Sequence, residues 1–305
     1  MTTPSYLSNL MYAAALSGGF FLSACSCEEG CDVPESTTVP TSQMVGVSAG
    51  ITGAEVVGSP DSVMRAALQS LRKKQISGFF ATILPPEEFE EMREGWKDAK
   101  SKPVPERDDK EFQSFMGMAT AEGAEETLFM MVKPFLEDAQ EELQGMTMML
   151  PMLAAGALEN TDVPPEAHAM VGQLATEIAS LDITDEAKAR RAISVFVKAA
   201  RDMKVTSGVE MQALSFEEVM GRADVAYAGL IDILDVYGLS PQKSLESMTV
   251  KTVSTEGDSA VLEMTFSIFG GKPQTVPFEM ERLDGRWFPK PPEKDASPQN
   301  QGLAR

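Results

Sequence analysis

The sequence predicts an α+β protein, a helix-rich chain closed by a C-terminal four-stranded antiparallel meander packed on the helices. Three observations predict it. Apolar residues recur every three or four positions from Ser59 to Tyr237, as in amphipathic helices, and every second position from Ala260 to Met280, as in half-buried strands. Turn signals at Glu256-Gly257-Asp258, Gly270-Gly271 and Asp284-Gly285 cut the second stretch into four strands. The chain has 305 residues, 43% hydrophobic and 24% charged, which suffices for a sizeable core and excludes wholesale disorder.

The helical region spans 59–237. In "SPDSVMRAALQSLRKKQ", Ser59 is placed to cap, Pro60 occupies the first helical position and Asp61 the first turn, with Arg72, Lys73 and Lys74 at the far end. Val63, Ala67, Leu68 and Leu71 form its apolar stripe. A helix in "PPEEFEEMREGW" sets Phe89, Met92 and Trp96 on one face. Further helices are expected over Asp109 to Ala119, Glu125 to Leu150 with an interruption at Pro134, Pro165 to Leu181, Thr184 to Met203, and Ser215 to Tyr237. Ser215 with Glu218 makes a capping box for the last, and Gly238 ends it.

The sheet region spans 238–292. Ala260, Leu262, Met264, Phe266 and Ile268 alternate with mostly polar neighbours, and Val276, Phe278 and Met280 repeat the pattern. Asp284-Gly285 before Arg286-Trp287-Phe288 is a type I′ hairpin signal. Residues 293–305 are polar and Pro-containing, a tail expected to be disordered.

Ahead of the helices, the chain reads as an address. Residues 1–25 carry no charge, and Leu10 to Leu22 is mostly apolar, the length of a signal-peptide core and too short to span a bilayer. The run ends in Leu22-Ser23-Ala24-Cys25, which resembles the lipobox of bacterial lipoproteins. That resemblance implies removal of residues 1–24 and a lipid on Cys25, with a membrane reached through that lipid. Ser26 in place of Asp follows the enterobacterial pattern for the outer membrane, the folded part lying in the periplasm or at the surface. The amino end lacks the Lys or Arg usual in the class, and an uncleaved apolar segment is the bland alternative.

All three cysteines lie within 25–31, so setting Cys25 aside leaves Cys27 and Cys31 as an even pair, bridged across Gly30 or free. A metal site at Cys-x-Cys lacks a fourth ligand, the single histidine, His168, being remote. Residues 25–58, rich in Ser, Thr, Gly, Pro and Val, read as the lipidated cysteine and a flexible tether. "GVSAG" within it has the form of a nucleophile elbow around Ser48, but the flanking strand and helix that the elbow needs are missing from the pattern.

A second resemblance rests on both ends of the folded region. The opening "SPDSVMRAALQSLRKKQ", a short second helix and the "LPPEEF" turn look like the start of NTF2-like (cystatin-like) accessory domains. The closing "VKTVSTEGDSAVLEMTFSIFGG" and "VPFEMERLDGRWFPK" look like their curved sheet. The resemblance implies a first helix packed across that sheet. The long helical middle departs from the family as a large insertion and puts the usual helix–sheet pocket in doubt.

With 46 acidic against 26 basic residues the net charge is −20, which repels nucleic acid and anionic headgroups. Of twenty methionines, eight fall between Met116 and Met152, and Met146, Met148, Met149 and Met152 are the candidate ligands for copper handling. Core packing is the preferred reading of those four. One helix concentrates positive charge: Arg190, Arg191, Lys198, Arg201 and Lys204 beside an apolar side of Ala189, Ile193, Phe196, Ala200 and Met203. It reads as a docking stripe for an acidic partner or as internal pairing with the carboxylates of "PPEEFEEMREG" and "EDAQEE", the latter preferred. Adjacent pairs such as Glu87-Glu88 and Glu141-Glu142 diverge on a helix. No catalytic set and no cofactor motif emerges. The expected function is a membrane-anchored cell-envelope lipoprotein with a non-enzymatic binding or accessory role, an envelope protein being the partner class. The alternatives are an enzyme with its site between sheet and helices, and Met-based copper handling.

Overall fold

The computed structural model describes residues 58–136 and 181–290. The cysteines, the tether with Ser48, His168, Met146, Met148, Met149, Met152, the Pro165 helix and the tail lie outside them. Helix α1 is Pro60–Arg72, followed by α2, Ile76–Ile83, and α3, Pro86–Ser101. Helix α4 is Glu106–Thr120, and α5 is described over 124–136. After these come α6, Glu186–Met203, α7, Gly208–Ala213, α8, Phe216–Val236, and α9, Pro241–Ser247. Strands β1, Thr249–Glu256, β2, Ser259–Phe266, β3, Gln274–Leu283, and β4, Arg286–Pro289, form one sheet in the order β1-β2-β3-β4, every neighbour antiparallel. The architecture is α+β, as the two periods predict.

Helix α1 begins where its charges and its proline predict, but Ser59 caps it with the main chain and not with its hydroxyl. The Ser59 carbonyl accepts from the N–H groups of Ser62 and Val63 and from Ser62 Oγ at 2.7 Å. Its stripe is one residue wider than expected, because Met64 is buried beside Val63, Ala67 and Leu68. That face lies on the sheet. Val63, Met64 and Leu68 share a core with Val250, Ala260, Leu262, Met280 and Trp287, and Leu71 packs at its edge. The alternation of β2 works as read: Ala260 and Leu262 point into this core, paired across the sheet with Met280 and Phe278. A bulge between Thr252 and Ser254 interrupts β1, which is why no clean alternation marks that strand. The β3–β4 hairpin turns at Asp284 and Gly285, both with positive φ, the geometry a type I′ turn requires.

Two further clusters build the helical layer. Met92 of α3 meets Phe216 and Met220 of α8, with Phe80, Phe89 and Trp96 around them. Met116 and Ala119 of α4 meet Ala200 of α6, with Phe112, Phe115, Phe196 and Met203 around them. Helices α6 and α8 pack closely at Gly229, where an added Cβ would stand 2.8 Å from the Ala199 methyl.

Polar side chains tie these layers together over long sequence distances. Arg72 at the end of α1 donates to the carbonyls of Leu245 (2.7 Å) and Met248 (3.0 Å), capping α9 just before the sheet begins. Gln242 of α9 returns the contact to the Arg72 carbonyl at 3.3 Å. Trp96 Nε1 and Lys100 Nζ donate to the Leu214 carbonyl between α7 and α8. Arg93 pairs with Glu217 and lies over the Phe216 ring.

Candidate functional site

Of the residues singled out from the sequence, the described part contains the basic stripe of α6. Asp185 opens this helix, its carboxylate accepting from the N–H groups of Ala187 (2.8 Å) and Lys188 (3.0 Å). Phe196, Ala200 and Met203 of the predicted apolar side face α4. A second contact, Ala199 against α8, was not legible because alanine serves surface and interface equally well on a helix.

The five cations do not act together. Arg190 and Arg201, eleven positions apart and so nearly in line on the helix, both turn to the corner between α4 and α5. Arg190 Nη1 donates to Glu126 Oε2 at 2.6 Å, and its guanidinium carbon stands 3.5 Å from the centre of the Phe129 ring. Phe129 is 1% exposed, so one face of this arginine rests on the protein interior. Arg201 Nη1 donates to Glu125 Oε1 at 3.0 Å, and Nη2 to the Ala121 carbonyl at 2.8 Å, closing the end of α4. Lys198 bonds Asp202 one turn on at 2.7 Å. Lys204 ends the helix in the left-handed region, φ 51°. Arg191 and Lys204 are exposed.

The electrostatics follow this geometry. The Arg190 hydrogen bond holds the Glu126 carboxyl below the usual carboxylate range, and Glu126 in turn raises Arg190. Its bond to Asp202 raises Lys198. Lys133 of α5 pairs with Glu186 at 3.7 Å, adding a third link between α5 and α6.

Internal pairing is therefore the main use of Arg190 and Arg201, with partners other than those expected. The sequence pointed to carboxylates of α3 and of "EDAQEE"; the partners here are Glu125 and Glu126 in the first turn of α5, and residues 137–142 lie outside the described residues. Those two glutamates are adjacent in sequence like many others, and their being brought to α6 depends on the α4–α5 turn at Gly123, φ 75°. Among the described residues, no group of three or more His, Cys, Asp or Glu side chains is arranged to hold a metal ion. Among them, too, no helix is long and apolar enough to cross a membrane. The chain matches no protein family model, no curated protein and no solved structure.

Proposed function

We propose that this protein is a lipid-anchored lipoprotein of the bacterial cell envelope, whose folded region serves as a non-enzymatic binding or accessory module. The observation that carries the reading is Leu22-Ser23-Ala24-Cys25 at the end of an apolar run that is too short to span a bilayer. The net charge of −20 gives electrostatics no part in holding the protein to anionic lipid, so the attachment is the acyl chains on Cys25. An outer-membrane destination follows from Ser26 in place of Asp. The accessory role draws support from the way charged side chains are used. Arg72, Arg93, Lys100, Arg190 and Arg201 cap helices or bind glutamates of the same chain, as scaffold residues do.

The test is mass spectrometry of the protein recovered from bacterial membranes. The expected mature chain begins at an acylated Cys25, and Cys25→Ala leaves an unprocessed chain that takes up no labelled fatty acid. An unmodified chain beginning elsewhere would refute the anchor. Conversion of a substrate in a broad hydrolase and oxidoreductase screen would refute the accessory role.

A further inference from the structure

Helix α8 carries two sets of apolar side chains. Phe216 and Met220 are buried in the cluster with α3, and Ile231 is buried as well. The other set is Val219, Ala223, Ala226, Leu230, Ile233 and Tyr237 at the helix end, with spacings of four, three, four, three and four. This is the spacing of a helix–helix seam, and it places all six on one side of α8. Ala226 and Leu230 at its centre are exposed, Leu230 by 53%. Ala223, Ile233 and Tyr237 are half-buried, and Val219 touches the rim of the α3 cluster. The other five belong to none of the three core clusters described above. No seam position carries a formal charge, in a chain whose net charge is −20.

The seam is graded in size, and the grading says what fits it. Its amino half is Val219, Ala223 and Ala226; its carboxyl half is Leu230, Ile233 and Tyr237. The six positions are symmetric about residue 228. Two copies of α8 laid antiparallel across a two-fold axis at that level would set Leu230 on Ala226, Ile233 on Ala223 and Tyr237 on Val219. Every large side chain then meets a small one, which lets the backbones approach and fills the space between them. An isologous interface requires this self-complementarity, because the same patch must serve as knob and as hole. A lipid surface would use the same apolar stripe but requires no inverted grading, and an extended peptide requires neither. At about 1.5 Å per residue the seam runs roughly 27 Å, long enough for five to six interlocking layers.

We propose that this face of α8 is a homodimer interface that takes the same helix of a second copy, antiparallel. The test uses the full chain with Cys25, Cys27 and Cys31 replaced by Ser, followed by sedimentation equilibrium over a concentration series. The expected result is a monomer–dimer equilibrium that Leu230→Glu weakens by at least about tenfold, and that Ala226→Glu weakens likewise. Both positions are exposed, so helical circular dichroism should be unchanged in each variant. Orientation is read by disulfide formation. A chain with Tyr237→Cys should link to a chain with Val219→Cys and not to itself, because the same position of the second copy lies about 27 Å away along the axis. A monomer at every concentration would overturn the proposal, as would association indifferent to both glutamates. Ready self-linking of Tyr237→Cys would replace antiparallel pairing with parallel and overturn the arrangement proposed.

Discussion

Asp224 reaches back 147 positions to the first turn of α2, where its carboxylate accepts the Ser77 N–H at 2.8 Å and the Ser77 hydroxyl at 2.6 Å. Ser77 is buried, so no water replaces this acceptor when it is lost. Asp224→Ala is expected to cost about 1–3 kcal/mol, and Asp224→Asn less, since the amide keeps one acceptor. Urea titration checks it: the midpoint should fall with an unchanged slope, and a shift below about 0.5 kcal/mol would show that α2 finds another partner. Nothing in the sequence marks Ser77 or Asp224. Their meaning lies in a distant pairing, whereas Ser215 and Glu218, three positions apart, declare their cap locally.

At the scale of elements, that capping box also sets a pH dependence. Ser215 Oγ accepts from the Glu218 N–H at 3.2 Å, and Glu218 Oε2 accepts from the Ser215 N–H at 2.7 Å. The Ser215 backbone N–H foremost, with its hydroxyl, holds the Glu218 carboxyl below the usual range. The Thr206 N–H and hydroxyl do the same for Glu210 in the first turn of α7, as Arg190 does for Glu126. A carboxyl whose folded pKa is depressed contributes stability above its unfolded pKa, about 4.3 for Glu, and loses it as pH falls through the folded value. Stability should therefore decline on the acid side of the ordinary Glu range. Glu218→Gln should be less stable than the parent at neutral pH, the difference closing in acid, while Ser215→Ala should cost about 1 kcal/mol. Denaturation curves at neutral and acid pH decide it, and a gap that stayed constant with pH would be the contrary result. The long elements were legible because caps and stripes agreed; α7 and α9, six and seven residues long, were not, being too short to show a period.

At the scale of the whole molecule, the described residues are held by three clusters joined through α2, α6 and α8, and the sheet belongs to the cluster that α1 completes. Leu262, fully buried, and Leu68, 4% exposed, come from opposite ends of the folded region and meet there. Leu68→Ala is expected to cost about 2–5 kcal/mol, measured by thermal or urea unfolding. Residues 240–292 expressed alone should give a poorly dispersed NMR spectrum, because one face of the sheet would be left in water. A dispersed spectrum would mean that the sheet folds by itself. The helix-on-sheet packing was legible from two matching stripes and the resemblance they carry. The corner where Arg190 and Arg201 meet α5 was not, since any of the chain's 46 acidic residues could have supplied the partners.

The Arg72 bond to the Leu245 carbonyl spans 173 positions, and Leu68 waits longer still, for Trp287 of the last strand. Synthesis delivers α1 first and β4 last. At about 5–20 residues per second, on the order of ten to forty seconds pass before the helix meets the strand that completes its cover. Throughout that interval Val63, Met64 and Leu68 are sticky, and the closing of so long a loop makes their final docking slow. A holding chaperone that recognises short amphipathic helices therefore has a definite window on this chain, opening with α1 and shutting with the final hairpin.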